Sequence, residues 1–469
     1  MSHFDLAIIG AGSGGLSVAA AAAQFGQRVV LFEKARMGGD CLNYGCIPSK
    51  ALLAAAKQAQ AMRSAAKLGI AAVEPRVDFT KVMAHVHGVI AAIEPNDSQE
   101  RFEKLGVTVV RAAARFTGAS AIEADGKTYT ARRFVIATGS RAAIPPIPGL
   151  SGVPYFTNET IFENAKLPEH LIIIGGGPIG MEMAQAHRRL GAKVTVIEAF
   201  DPLAKDDPEL TRVVLDALAA EGVVIHARTS VAQVRRGAKG IAVETAGAGT
   251  IQGSHLLVAA GRLPNVEGLD LEAAGIDFTA KGITVDKGLR TTNRLVYAIG
   301  DIAGGLQFTH VAGYHAGLVI RNALFGLPVK NVTSTIPWVT FTDPELAHVG
   351  LTEAEARRAH GAAVTVARWP FHDNDRAQAE ARTAGLVKAV IGKGGRILGA
   401  SIVGANAGEL IHPWVLAMGN GLKIKAMASM VAPYPTLGEV SRRAAVAYYS
   451  GLASNPWIRR VIGLVRRFG

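Results

Sequence analysis

Twice in this chain an apolar run ends in a cluster of glycines, continues as a helical pattern, and is followed by a second apolar run that closes on glutamate. The first copy is Phe4 to Ile9, then Gly10-Ala11-Gly12-Ser13-Gly14-Gly15, an alanine-rich helix, and Arg28-Val29-Val30-Leu31-Phe32 ahead of Glu33. The second is Leu171-Ile172-Ile173-Ile174, then Gly175-Gly176-Gly177-Pro178-Ile179-Gly180, a helix from about Met181-Glu182, and Lys193-Val194-Thr195-Val196-Ile197 ahead of Glu198. Strand, glycine turn, helix and acid in this order are the parts of a βαβ unit that holds a dinucleotide. Gly10 permits the turn, Gly12 lets the backbone approach a pyrophosphate, and Gly15 lets the helix pack closely, with Gly14 in the same run. Gly175, Gly177 and Gly180 repeat the arrangement. Glu33 and Glu198 are placed to hold ribose hydroxyls. A carboxylate repels a 2′-phosphate, so Glu198 favours NADH over NADPH. Arg188 and Arg189 lie on the preceding helix and are discounted as phosphate ligands.

Further strands end in small-residue turns. Phe134-Val135-Ile136-Ala137 leads into Thr138-Gly139-Ser140, and Leu256-Leu257-Val258-Ala259-Ala260 leads into Gly261-Arg262-Leu263-Pro264-Asn265. Leu295-Val296-Tyr297-Ala298-Ile299-Gly300 carries Asp301 at its tip, where an open α/β sheet presents ligand contacts. Ile144-Pro145-Pro146-Ile147-Pro148-Gly149 reads as a linker. From about Ser334 the pattern changes to alternating strands and helices without a glycine fingerprint, which predicts a third domain of α+β type. About three domains is also what 469 residues suggest.

Cys41 and Cys46 are the only cysteines, five positions apart in Gly38-Gly39-Asp40-Cys41-Leu42-Asn43-Tyr44-Gly45-Cys46-Ile47-Pro48-Ser49-Lys50. Pro48 suits a first helical residue, which puts Cys46 just before a helix N-terminus, where free N–H groups and the macrodipole favour a thiolate. A redox-active disulfide, a structural disulfide and two free thiols are all compatible with the spacing alone, and the isolation of the pair favours the first. Two cysteines cannot frame a secreted disulfide scaffold, so a reducing, cytoplasmic setting is expected. No signal peptide is visible, because the first strand pattern begins almost at Met1. The net charge of +12 is spread along the chain without a recognition motif, which argues against nucleic acid as a partner. No metal-ligand set is read.

Together these residues resemble the pyridine nucleotide-disulfide oxidoreductases, the flavoprotein family of dihydrolipoamide dehydrogenase, glutathione reductase and mercuric reductase. The resemblance covers the cysteine stretch, both fingerprints, the Gly261–Asn265 turn, Ala298-Ile299-Gly300-Asp301, and Phe341-Thr342-Asp343-Pro344-Glu345-Leu346-Ala347. It implies an α/β fold with two Rossmann-like domains, one for FAD and one for NAD(P), and a C-terminal α+β dimerisation domain. The implied division is 1–150 (FAD, first part), 151–285 (NAD(P)), 286–333 (FAD, second part), 334–455 (dimerisation) and a tail, 456–469. Glu33 would hold the adenosine ribose of FAD and Asp301 its ribityl chain, with Thr138, Gly139, Gly261 and the backbone at His310 among the cofactor contacts. Lys50 and Glu182 match an ion pair beside the flavin. Cys46 matches the thiol next to FAD and Cys41 the thiol that exchanges with substrate. The implied activity passes electrons from NADH through FAD to the Cys41–Cys46 disulfide, then to a disulfide or thiol-reactive acceptor, in a homodimer.

Two features depart from the family. Members that act on dithiols carry a catalytic histidine in a His-Pro-Thr segment followed by a glutamate; this chain has Tyr434-Pro435-Thr436 and keeps Glu439. Tyrosine, with an ordinary pKa of about 10 against about 6.5 for histidine, is a weak base near neutral pH. Mercuric reductases also carry tyrosine here, but they end in a cysteine pair that Val465-Arg466-Arg467-Phe468-Gly469 lacks. A mercuric reductase-like metal reductase, or a membrane-docked flavoprotein with a structural or sensory flavin, are the alternatives. His412 is expected to be buried or capping. Residues 456–469, read as a helix, carry Trp457, Ile458, Val461, Ile462, Leu464, Val465 and Phe468 on one face and Arg459, Arg460, Arg466 and Arg467 on the other. That pattern suits docking onto the dimer or peripheral contact with the inner face of a membrane.

Overall fold

The computed structural model describes residues 2–238, 240–451 and 456–467. It divides into two compact units, one of Met1–Ala56, Arg76–Ala199 and Thr229–Asn331, the other of Lys57–Pro75, Phe200–Arg228 and Val332–Gly469.

In the first unit, strand Ser2–Ile9 is the middle of a sheet ordered Thr108–Val110, Val29–Phe32, Ser2–Ile9, Lys127–Ile136, Ala121–Ala124, Ala114–Gly118. The strands at the glycine-fingerprint end are parallel, and the last two turn back antiparallel. Val296–Ala298, far along the chain, pairs in parallel with Lys127–Ile136. Side chains alternate along a strand, so Leu6 and Ile8 pack with Val18, Ala19 and Leu31, whereas Ala7 and Ile9 pack with Phe32, Phe116 and Phe134. Burial on both faces explains why these strands read as unbroken apolar runs. The second fingerprint rests on Lys193–Ile197, His170–Ile174 and His255–Val258, again parallel.

The second unit is built on an antiparallel sheet ordered Pro337–Thr340, Glu345–Gly350, Ile397–Gly404, Leu386–Ile391, Thr365–Pro370. Trp414, fully buried, donates its indole N–H to Ser441 Oγ at 3.0 Å. On this unit Lys388 is buried with its ammonium 2.7 Å from Asp207 Oδ2, 2.8 Å from Glu353 Oε2 and 2.9 Å from Glu209 Oε2. Arg368 bonds the same Glu209 and Glu353. Segment 200–228 follows the second fingerprint in sequence, yet this ionic hub ties it to the C-terminal sheet.

The tail forms a helix over Pro456–Val465, shorter than the sequence pattern suggested, and Phe468 and Gly469 lie outside the described residues. Trp457, Ile462, Leu464 and Val465 are each more than half exposed. Among the described residues, no helix is long and apolar enough to cross a membrane.

Candidate active site

The two fingerprints are close geometric copies. Gly10 and Gly175 take positive φ of 104° and 116°, and a Cβ on either would come within 2.4 or 2.3 Å of the carbonyl oxygen of Ala137 or Ala259. A Cβ on Gly15 would lie 1.9 Å from Gly10 O, and one on Gly180 would lie 2.0 Å from Gly175 O, so each helix start is pressed onto its own turn. Gly12 and Gly177 are different. A Cβ on Gly12 would meet nothing nearer than Gly39 Cα at 3.9 Å, and one on Gly177 nothing within 4 Å. Among the described residues no neighbour requires glycine at these two positions, and the free space beside the helix N-termini is of the kind a pyrophosphate needs. Each closing acid faces its own loop: Ala11 N donates to Glu33 Oε2 at 2.7 Å, and Gly176 N donates to Glu198 Oε2 at 2.5 Å. These residues fit two bound dinucleotides.

The small-residue turns meet. Thr138 Oγ1 donates to Asn265 O at 3.0 Å, and Asn265 returns a bond from its side-chain amide to Thr138 O at 2.9 Å. Asn265 N also donates to Gly139 O, and Ala143 N donates to Gly261 O. Asp301 is largely buried, accepts from Ser140 Oγ at 2.5 Å, and has its carboxyl pushed up by burial.

The helix expected from Pro48 begins two residues earlier, as Cys46–Ser64, so the thiol lies on its first residue rather than before it. Ser49 N donates to Gly45 O at 3.1 Å, which starts the hydrogen-bond ladder at Gly45. Pro48 falls within the opening turn, where a missing N–H costs nothing. Cys41 lies on a short helix of its own, Gly39–Asn43. Both cysteines are thiols in this structure, Cys41 half-buried and Cys46 exposed.

The two thiols act on each other, and the interaction separates their acidities. Donation from Cys41 is the largest influence holding Cys46 down, to about 6; the Thr309 hydroxyl and the Lys50 charge help, while burial and Glu182 oppose. Cys41 is driven upward by the same bond and by burial, against smaller opposing contributions from Thr309 and Ser13. Of the two, Cys46 is the one whose charged form is favoured. Lys50 Nζ lies 2.8 Å from Glu182 Oε2, and Glu182 is buried. Thr309 is a residue that sequence reasoning missed. It opens the helix Thr309–Phe325 and places Oγ1 3.5 Å from Cys46 Sγ. Its neighbour His310 stacks on Phe308, with ring centroids 5.3 Å apart and planes 9° from parallel.

On the second unit, Tyr434 is 69% exposed and donates its hydroxyl to Asp375 Oδ2 at 2.8 Å. That bond and the Asp375 charge raise the phenol further, away from the range of a base at neutral pH. Glu439, at the start of helix Glu439–Ala447, pairs with Arg443 at 3.1 Å. His412 is exposed rather than buried; its Nδ1 is 3.0 Å from Glu409 O on the preceding turn.

Residues 4–316 match the family described as Pyridine nucleotide-disulphide oxidoreductase, and residues 336–445 match that family's dimerisation domain. The chain is 36% identical over 461 residues to a mercuric reductase of Streptomyces lividans, a match covering 96% of this chain and 97% of that protein. It is 37% identical over 471 residues to a dihydrolipoyl dehydrogenase of Thermus scotoductus, covering 96% and 98%. Among solved structures it is similar to LpdA from Mycobacterium tuberculosis, with a TM-score of 0.87, 28% identity, and coverage of 95% of this chain and 99% of that one. It is also similar to the Cu(II) complex of the HOCl-induced flavoprotein disulfide reductase RclA from Escherichia coli, with a TM-score of 0.86, 28% identity, and coverage of 95% and 99%.

Proposed function

This chain belongs to the pyridine nucleotide-disulphide oxidoreductase family, and within that activity we propose an NADH-preferring reductase of disulfide or thiol-reactive acceptors that is a poor oxidant of dithiols. It is an FAD-dependent enzyme that uses a pyridine nucleotide, and its C-terminal part is the family's dimerisation domain, which supports a homodimer. FAD, when bound, supplies the two-electron link between the pyridine nucleotide and the cysteine pair.

The observation that carries the direction of use is the Tyr434 hydroxyl donated to Asp375 at 2.8 Å where a base would be needed, and the placement of Cys46 on the first residue of its helix, 3.5 Å from Thr309 Oγ1, accords with it. Cys46 holds the negative charge against Lys50 and Thr309, which suits the flavin-side position, while Cys41 keeps its proton and stays half-buried. In the reducing half, Cys41 passes its proton to the Cys46 thiolate and attacks a disulfide acceptor, breaking its S–S bond. The expelled thiolate takes that proton from Cys46. Cys46 then attacks the Cys41 sulfur of the mixed disulfide, which restores the Cys41–Cys46 bond and releases the second thiolate to be protonated by solvent. The reverse reaction needs a base to deprotonate an incoming dithiol. Tyr434, committed as a donor to Asp375, is a poor one, and this limits dihydrolipoamide-type turnover. Metal ions bound by thiolates remain the second class of acceptor, favoured by the tyrosine in place of histidine. The Glu198 carboxylate on the Gly176 amide supports a free ribose 2′-hydroxyl, and Arg188 bonds Ala192 O while Arg189 is buried. The return of Val296–Ala298 to the first sheet supports assigning 1–150 and 286–333 to FAD, 151–285 to the pyridine nucleotide and 334–455 to the dimer.

The test is NADH oxidation against a panel of lipoamide, glutathione disulfide, other disulfides and mercuric ion. The proposal expects at least one acceptor to be turned over faster than dihydrolipoamide is oxidised with NAD. Fast dihydrolipoamide oxidation in the native enzyme would overturn it.

The tail carries a finer proposal, a peripheral anchor for a cytoplasmic enzyme at the inner membrane face. Residues 456–467 contain four arginines and no acid, and Trp457, Val461, Ile462, Leu464 and Val465 are exposed, as an anionic lipid surface requires. Flotation with anionic vesicles should carry the whole chain but not one cut before Asn455; loss of flotation for both would end the idea.

A further inference from the structure

One guanidinium joins the flavin-facing carboxylate to the helix that bears the exchange thiol. Arg262, on the short strand Arg262–Pro264, is 13% exposed and donates Nε to Ser140 Oγ at 2.7 Å and Nη2 to Ser140 O at 3.0 Å. The same group lies 3.7 Å from Asp301 Oδ2 and 3.2 Å from Asp40 Oδ1. Asp40 precedes Cys41 on helix Gly39–Asn43 and also accepts from the Asn158 side-chain amide at 3.2 Å. Ser140 bridges the system, because its hydroxyl receives from Arg262 and gives to Asp301.

We propose that Arg262 is a positioning residue shared between Asp301 and Asp40, so that the grip of Asp301 on the ribityl hydroxyls of FAD depends on the carboxylate next to Cys41. This rests on the reading that Asp301 holds the ribityl chain. An ionised Asp301 is a pure acceptor for ribityl hydroxyls, whereas a protonated one loses part of that capacity. The charged groups that act on Asp301 are Arg262, which favours its ionised form, and Asp40, which opposes it; burial opposes it as well, and the Ser140 hydroxyl favours it. Arg262 is the only cation in this set, and it is held in place by both acids and by Ser140. Arginine rather than lysine is needed, because the fork must serve the Ser140 carbonyl, the Ser140 hydroxyl and Asp40 at once. A shift of the Cys41 helix that loosens Asp40 from Arg262 therefore strengthens the hold of Arg262 on Asp301, and cofactor retention and the seating of the thiol helix move together.

The experiment measures FAD release from the holoenzyme by recovery of free-flavin fluorescence across a pH series, for native protein, Arg262→Gln, Arg262→Lys, Asp40→Asn and Asp301→Asn. Removing the cation should move the onset of release to higher pH, and removing the Asp40 charge should move it to lower pH, each by about half a unit or more. Arg262→Lys keeps the charge and should restore most of the shift while still releasing FAD faster than native at every pH. Opposite signs for Arg262→Gln and Asp40→Asn are what a general loss of packing would not give. Asp301→Asn should flatten the pH dependence. If it does not, the assignment of Asp301 to the ribityl chain fails. If it does, but the other two variants shift the same way or not at all, the role of Arg262 alone is overturned.

Discussion

The hydroxyl of Tyr434 is given to Asp375 at 2.8 Å, while Glu439, the acid that accompanies a histidine in dithiol-oxidising relatives, is bonded by Arg443. The phenol is thus held as a donor, with its acidity weakened. Tyr434→His should raise dihydrolipoamide-dependent NAD reduction by about tenfold or more, within the range of a positioned base. Tyr434→Phe should stay at or below the native rate. Steady-state assays on both variants check this, and a flat result for Tyr434→His would move the limit from the base to the shape of the pocket.

Thiol acidity gives a pH signature. Cys46 is held down to about 6, so its thiolate is present above that pH and is lost as pH falls through it. Alkylation of the reduced enzyme by iodoacetamide should therefore rise with a midpoint near 6. Lys50→Met and Thr309→Val should each move the midpoint upward, because both native groups favour the charged form. A midpoint that ignores both changes would remove them from control of the thiol.

The proposed preference for NADH puts nucleotide choice on Glu198. Glu198→Ala should lower the ratio of kcat/KM for NADH over NADPH by about tenfold or more, the scale of a lost charged hydrogen bond. The change should fall mainly on KM, because ribose contacts are uniform binding. An unchanged ratio would mean that another group reads the 2′ position.

The ionic hub on the C-terminal sheet should be costly to break. Lys388→Met leaves Asp207, Glu209 and Glu353 to Arg368, with Glu353 also held by Arg357, and removing one partner from a buried pair costs about 3–5 kcal/mol. Urea unfolding of the native and variant proteins measures it. Glu353 is depressed to about 2 from its ordinary 4.5, chiefly by Lys388, so its share of stability is present above 4.5 and is lost as pH falls toward 2. Acid unfolding in that window should be steeper in the native protein than in Lys388→Met.

Much of this was legible in sequence because it is local. Each fingerprint is a strand, a turn and a helix within about thirty residues, where glycine spacing and apolar runs report backbone geometry directly. The cysteine pair was legible for the same reason. The parts that were not legible are contacts between distant segments. Thr309 meets Cys46 across 263 positions, and Asp375 meets Tyr434 across 59. Arg262 was visible only as part of a turn, since its two acids come from elsewhere in the chain. The helix start at Cys46 was misplaced because Pro48 tolerates any position in the first turn, so it marks that turn without fixing its first residue. Of the two expectations for His412, burial failed because the side chain faces out while Trp414 beside it is buried, and its ring nitrogen lies instead on the Glu409 carbonyl of the preceding turn.

The central claim is that Cys46, and not Cys41, carries the charge at the cofactor. Anaerobic reduction by NADH, followed by absorbance on the long-wavelength side of the flavin bands, tests it most directly. The native enzyme and Cys41→Ser should show a thiolate–flavin charge-transfer band, and Cys46→Ser should show none. A band that survives in Cys46→Ser and vanishes in Cys41→Ser would contradict the assignment.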